Sequence, residues 1–250
     1  MRCRACRDAP FTRTEVNVKT SLVRHLLATA FSVSVLATAG SSAAQTIPSA
    51  YRFIETGNAA SVFAGHVWAD PGVLDLGPTA AVYFGARYGI RVTGPIVLEA
   101  EIGYMPATRA VRDTVPADTA LRTVGEADQR VLLATAALRF NITGPRTYHG
   151  VQPFLRAAGG VAIGLGGGGA ADEQVPADLR FDFGTTFATQ IGAGIEWFAG
   201  RTFTFRVDGG VMLWEYDTPL PFLFGEEGLN RPGSEWTQHY SLSAGLVLRF

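Results

Sequence analysis

Eight runs of alternating apolar and polar residues, joined in turn by short and long links, constrain this 250-residue chain more than any other feature. Successive side chains of a strand point to opposite faces, so such runs predict strands. They cover Ala60–Ala69, Thr79–Gly89, Ile96–Pro106, Gln129–Ile142, Val151–Gly164, Thr185–Phe198, Thr202–Tyr216 and Thr237–Phe250. The second, fourth and sixth links carry turn chemistry and are short: Ile90–Pro95, Thr143–Gly150 and Ala199–Arg201. The third, fifth and seventh, Ala107–Asp128, Leu165–Gly184 and Asp217–Trp236, are long, polar and rich in Gly and Pro. The first, Asp70–Pro78, is intermediate, and no segment with helical periodicity competes after residue 44.

An up-and-down meander with alternating link lengths is the pattern of a transmembrane barrel, with short turns inside and long loops outside. An even strand count brings both chain ends to one side, and closure removes the unpaired edges that hydrocarbon does not tolerate. The predicted fold class is all-β, an eight-stranded antiparallel up-and-down transmembrane β-barrel.

The strand faces agree. In the seventh strand Phe203, Phe205, Val207, Val211 and Leu213 oppose Thr204, Arg206, Asp208 and Gly210. In the fourth, Leu132, Ala134, Ala136, Leu138 and Phe140 oppose Thr135, Arg139 and Asn141. The sixth and third repeat the pattern, Ile191, Ile195 and Trp197 opposing Gln190 and Glu196, and Leu98, Ile102 and Tyr104 opposing Glu99 and Glu101. The first is ambiguous, because Phe63-Gly65-Val67 and Val62-Ala64-Trp68 could each be the lipid side. Periodicity alone allows an inward apolar face, as in a lipocalin-like binder of a greasy ligand. Aromatics at the strand ends argue for an outward one, as two interfacial girdles. Trp68, Tyr104, Phe187, Trp214, Trp236 and Tyr240 would form the outer girdle, and Tyr88, Phe140, Trp197, Phe198, Phe203 and Phe250 the inner.

Upstream, Arg24 precedes the uncharged apolar run Leu26–Ala39 and the small residues before Gln45. A basic segment, a short apolar segment and a small-residue site predict a secretory signal peptide over 1–44, cleaved after Ala44. The run is shorter than the roughly 18 residues a spanning helix needs. Residues 45–59 are read as a short periplasmic segment and 60–250 as the barrel. The length of Met1–Val18 suggests a true start near Val16 or Val18, which would remove Cys3 and Cys6 and leave no disulfide. Six basic and two acidic residues precede Gln45, leaving fifteen basic against twenty acidic residues. That net charge of −5 argues against nucleic acid as a partner. Every basic residue after Lys19 is Arg.

The last strand carries the one specific motif. Ser243, Gly245, Leu248 and Phe250 follow the polar, Gly, apolar, apolar spacing of the carboxy-terminal assembly signal of bacterial outer-membrane barrels. The chain thus resembles the small eight-stranded outer-membrane proteins of the OmpA and OmpX type over Ala60–Phe250. The resemblance implies the outer membrane of a Gram-negative-type bacterium, contact with its lipid and lipopolysaccharide, and handling by the barrel-assembly machinery.

The predicted inward set holds Arg87, Arg139, Arg156, Arg206 and Arg249 against Glu99, Glu101, Glu196 and Asp208. Unpaired charges away from water are costly, so these nine should form an ion-pair network. An eight-stranded barrel is just wide enough for its own side chains to fill, which predicts a plugged scaffold presenting loops to an unidentified surface partner. The alternative is a narrow channel for small or amphipathic solutes, with room left by Gly85, Gly103, Gly160, Gly192, Gly194, Gly210 and Gly245. A second alternative is enzymatic. His239-Tyr240-Ser241 is similar to the His-x-Ser of the outer-membrane lipid A deacylases, in which His activates Ser. Their further Glu has no counterpart in the nine residues after Ser241. His66 and His149 lack a partner at a readable spacing. No catalytic residue, cofactor or metal site is therefore predicted. The acidic loop residues Asp113, Asp118, Glu126, Asp128, Asp172, Glu173, Asp178, Asp182, Asp217, Glu226, Glu227 and Glu235 match no calcium-loop spacing and are read as solvated. Gly166–Gly169 predicts a pliant fifth link, and the apolar Pro219–Phe224 a contact at the mouth or with a partner.

Overall fold

Val, Ile, Leu and Phe alternating with Arg, Glu, Thr and Gly give the chain one face for lipid and one for an interior, and the structure is a closed antiparallel sheet. It is a computed structural model describing residues 49–55, 57–114, 121–166, 168–177, 180–219 and 233–250. The signal segment with Ala44, Cys3 and Cys6 lies outside these residues. So do Gly167, Asp118, Asp178, Glu226 and Glu227, and all of the Pro219–Phe224 cluster except Pro219.

Among the described residues ten strands are present: β1 (Tyr51–Phe53), β2 (Asn58–Trp68), β3 (Ala81–Thr93), β4 (Ile96–Thr114), β5 (Leu121–Asn141), β6 (Arg146–Tyr148), β7 (Val151–Gly164), β8 (Thr185–Phe198), β9 (Phe203–Asp217) and β10 (Ser234–Arg249). Eight of them close a ring in the order β2–β3–β4–β5–β7–β8–β9–β10, with β10 returning to β2. Asn58 and Phe250 exchange backbone hydrogen bonds of 3.2 and 3.1 Å, which fastens the two ends of this ring to each other. Among the described residues no helix is long and apolar enough to cross a membrane; strands do that work here.

Three elements depart from the sequence expectation. First, β4 and β5, of 19 and 21 residues, remain paired out to Thr114↔Leu121. Much of the predicted loop Ala107–Asp128 is therefore a hairpin. Its polar residues read as loop, whereas spanning needs only about 9–11 residues per strand and the remainder stands in water. Second, Thr143–Gly150 contains β6, which pairs with β1. Three-residue strands are too short to show a period. Third, the fifth link holds a one-turn helix, α1 (Ala170–Glu173).

Pro106 marks a further irregularity. The β3–β4 ladder ends at Phe84↔Tyr104, just before this residue without an N–H. Above it the Thr79 N–H donates to the Thr108 carbonyl at 2.7 Å, tying the first link to β4.

The exterior is apolar and the interior holds the charges. Ile191 is 69% exposed, whereas Glu196 on the opposite face of the same strand is fully buried. Val62, Leu138, Leu155, Ile195, Phe205 and Leu242 are likewise exposed. An apolar wall around a charged interior suits lipid as the surrounding solvent and excludes the lipocalin arrangement. The ambiguous first strand is resolved, with Phe63 and Val67 inside and Val62 and Trp68 outside. Two girdle assignments are corrected. Trp214 is fully buried and stacks on His239 with centroids 3.8 Å apart, because it shares the inward side with Arg206 and Asp208. Phe198 is half-buried beneath the Arg249 guanidinium, 4.6 Å from its ring centroid.

Candidate functional site in the barrel interior and its outer mouth

The interior has two layers, set by what each strand carries near its inner and outer end. In the inner layer Arg87, Glu99, Glu101, Arg139, Arg156, Glu196, Arg206, Asp208 and Arg249 are all buried, on every barrel strand except β2. Strand β2 contributes Phe63, whose ring lies 3.9 Å from the Arg87 guanidinium carbon. The nine charges form one connected figure. Glu99 contacts Arg206 at 2.7 Å, Arg206 contacts Asp208 at 2.9 Å, and Asp208 contacts Arg87 at 2.9 Å. Arg87 then reaches Glu101 at 2.6 Å, Glu101 reaches Arg156 at 2.6 Å, and Arg156 returns to Glu99 at 3.5 Å. A tail leaves this ring from Glu99 to Arg139 at 3.0 Å, on to Glu196 at 2.5 Å, and ends on Arg249.

Register explains why Glu99 is the hub. The β5–β7 pairing sets Arg139 directly opposite Arg156, and like charges across a strand pair repel. Glu99 bridges the two, and the Phe154 ring lies 5.2 Å from the Arg139 guanidinium and 4.4 Å from that of Arg206.

The inward glycines do not line an open bore. A Cβ at Gly103 would fall on the ring and hydroxyl of Tyr83, whose hydroxyl donates to Glu101 at 2.6 Å. A Cβ at Gly194 would fall 2.5 Å from Phe154 Cζ. At Gly85, Gly160, Gly192, Gly210 and Gly245 it would meet the neighbouring strand's carbonyl. These glycines admit aromatic rings and close backbone approach in a curved sheet.

The outer layer was not foreseen. Val67, Tyr83, Met105, Val131, Leu133, Ala162, Met212 and Trp214 form an apolar core inside the barrel. Its sequence signal was loss of alternation, as in Val131-Leu132-Leu133, where both faces are apolar. Two links fold over this layer. The first inserts Leu74 and Leu76; Asp75 pairs with Arg112, and Glu235 accepts from the Val73 N–H at 3.1 Å. The fifth inserts Val175, Phe181 and Phe183, and its Asp172 is buried against Arg109 at 2.8 Å. Asp172 is thus not the solvated loop acid its context suggested, and the sequence reading missed Arg109.

His239 and Ser241 sit inside the barrel without meeting. His239 Nδ1 accepts from the Asp70 N–H at 2.9 Å, which leaves the proton on Nε2 to face Thr237 Oγ1 at 2.9 Å. The Ser241 hydroxyl accepts from Gln190 Nε2 at 3.3 Å and donates to the Gly210 carbonyl at 3.4 Å. In the terminal motif Ser243 is buried and Leu248 and Phe250 are exposed. Among the described residues no cluster of three or more His, Cys, Asp and Glu could hold a metal.

No protein-family model matches the chain, and no curated protein matches it. Solved structures do. The outer membrane protein OprG from Pseudomonas aeruginosa aligns with a TM-score of 0.51 at 11% identity, covering 78% of this chain and 97% of that one. Neisserial surface protein A aligns with a TM-score of 0.47 at 14% identity over 78% and 98% of the two chains. AlkL, solved by solid-state NMR in DMPC bilayers, aligns with a TM-score of 0.42 at 16% identity over 82% and 96%. A closed eight-strand ring with an apolar outside and a charged inside, superposable on OprG, has the fold of the small OmpA/OmpX-type outer-membrane β-barrels.

Proposed function

We propose that the protein is an integral outer-membrane barrel whose filled interior is a scaffold and whose outward links engage partners at the cell surface. One observation carries this reading. Among the described residues the interior holds the nine-charge figure, then the apolar layer, then two links folded over the mouth. A conducting pore needs a continuous polar path, and this interior offers aromatic and aliphatic side chains across its outer half. The exposed terminal residues Leu248 and Phe250 suit contact with lipid, and in this proposal the assembly machinery reads the terminal motif in the unfolded chain.

The test is planar-bilayer recording on the purified chain, with cell fractionation alongside. The expected result is outer-membrane recovery and no reproducible conductance. Steady openings sensitive to replacement of the lumen ion pairs would favour the narrow channel. A folded monomer in the soluble periplasmic fraction would overturn the membrane reading.

Catalysis has no place in this proposal. His239 holds Thr237 and Asp70 rather than Ser241, and both side chains face away from lipid substrate. Lipid A from cells expressing wild type and Ser241→Ala should give identical mass spectra. Loss of an acyl chain with the wild type alone would make the protein a hydrolase.

A further inference from the structure

Between the fifth link and the β4–β5 hairpin lies a cavity of ≈ 570 Å³ at the outer mouth. That size falls within the ~300–1,000 Å³ of small-molecule sites. Arg109, Gln129, Asp172, Arg180, Phe181 and Asp182 line it, with backbone from Gly166, Gly168 and Gly169. We infer that this cavity is a binding site for a neutral saccharide, one or two sugar rings in size. The inference deepens the surface-interaction reading and rests on it, since it requires the mouth to face outward.

The lining decides the ligand class. Arginine offers only donors and carboxylate only acceptors, whereas a glutamine amide offers both. Two arginines stand with Asp172, Glu173 and Asp182, so the wall carries no excess positive charge to hold a polyanion. A simple cation would meet the guanidinium groups of Arg109 and Arg180. A ligand satisfying this wall must donate and accept at several points without net charge, which is what a ring of hydroxyls does. Phe181, 6% exposed, adds an apolar edge to the lining.

A second observation points the same way. Gln129 projects inward from β5, is only 4% exposed and borders the cavity, so its side chain stands at the wall. Buried polar groups are nearly always paired, so an unpartnered buried nitrogen beside a cavity calls for a ligand or solvent partner. Arg109 is also 4% exposed; one of its nitrogens is spent on Asp172, while Nε is buried and without a partner among the described residues. Arg180 uses Nε on the Val175 carbonyl at 3.2 Å, leaving its terminal nitrogens for the cavity. The wall is anchored independently of any ligand by the Arg109–Asp172 pair and by Phe181 packed edge-on against Tyr216.

The experiment is saturation-transfer NMR on the full chain in lipid nanodiscs with D-glucose, D-galactose, D-mannose and maltose, and with inorganic phosphate as the anionic control. At least one sugar should receive saturation on its ring protons. Gln129→Leu, which keeps the volume and removes the amide, should abolish the effect. Arg180→Met, on the link outside the barrel wall, should weaken it at least tenfold with heat-modifiable folding retained. Absence of transfer to all four sugars would overturn the inference, as would transfer untouched by both replacements. Competition by phosphate at equal concentration would instead make this an anion site and also overturn it. None of these results bears on conductance or membrane location, so the site can fail while the scaffold reading stands.

Discussion

Replacing Glu99 by Leu should lower stability by about 3–5 kcal/mol, the range for removing one partner of a buried ion pair. The geometry puts Glu99 at the upper end. Among the described residues it is the one carboxylate paired with both Arg139 and Arg156, which face each other across β5 and β7, and it also holds Arg206 at 2.7 Å. The figure already carries five arginines against four carboxylates, so losing an acid doubles its net positive charge. Losing an arginine brings it to neutrality. Arg249→Met, at the end of the tail, should therefore cost about 2 kcal/mol or less, as an ordinary substitution does. Urea unfolding in lipid vesicles, followed by tryptophan fluorescence, measures both. Equal losses for the two variants would show that charge balance is not what orders the inner layer.

A comparable loss is expected from Gly103→Val. The space beside Gly103 is taken by Tyr83, whose ring packs 5.1 Å from that of Phe63 and whose hydroxyl donates to Glu101 at 2.6 Å. A side chain at 103 must push the ring away. Overpacking costs about 1–3 kcal/mol, and a lost hydrogen bond to a charged group about 1.5–3 kcal/mol. Removing the ring in the same protein should recover part of this. Tyr83→Ala with Gly103→Val should show a favourable coupling of about 1 kcal/mol or more in a double-mutant cycle. Strictly additive losses would mean that something other than Tyr83 limits the space at 103.

What the sequence made legible follows from which signals are periodic. Alternation over ten or more residues identified all eight wall strands, and β7 and β8 came out with their observed limits. Lumen charges such as Glu99 and Arg206 were readable because alternation assigns a face without knowledge of the partner. Pairing within the figure was not, since it depends on register and on side-chain reach across the barrel. Trp214 shows a different failure. An aromatic near a strand end suggests a girdle, but its parity with Arg206 and Asp208 places it inside. Parity should have outranked residue type. Gln129 opens the predicted fourth strand without being read as a site residue, and Arg109 was missed because its segment reads as loop. Only the continued β4–β5 ladder shows that it still has an inside.

The seam between the first and last wall strands, β2 and β10, has a consequence for timing. Ser243, Gly245 and Leu248 lie in register between both neighbours at once, opposite Gly65, Phe63 and Ala60 on β2 and Asp208, Arg206 and Phe203 on β9. The strand that carries the proposed assembly signal is therefore also the strand that completes the wall. Any machinery that reads it as a free edge can do so only before closure. Under the proposed reading, folding hides that signal from its reader, and a finished barrel would not compete with newly arriving chains.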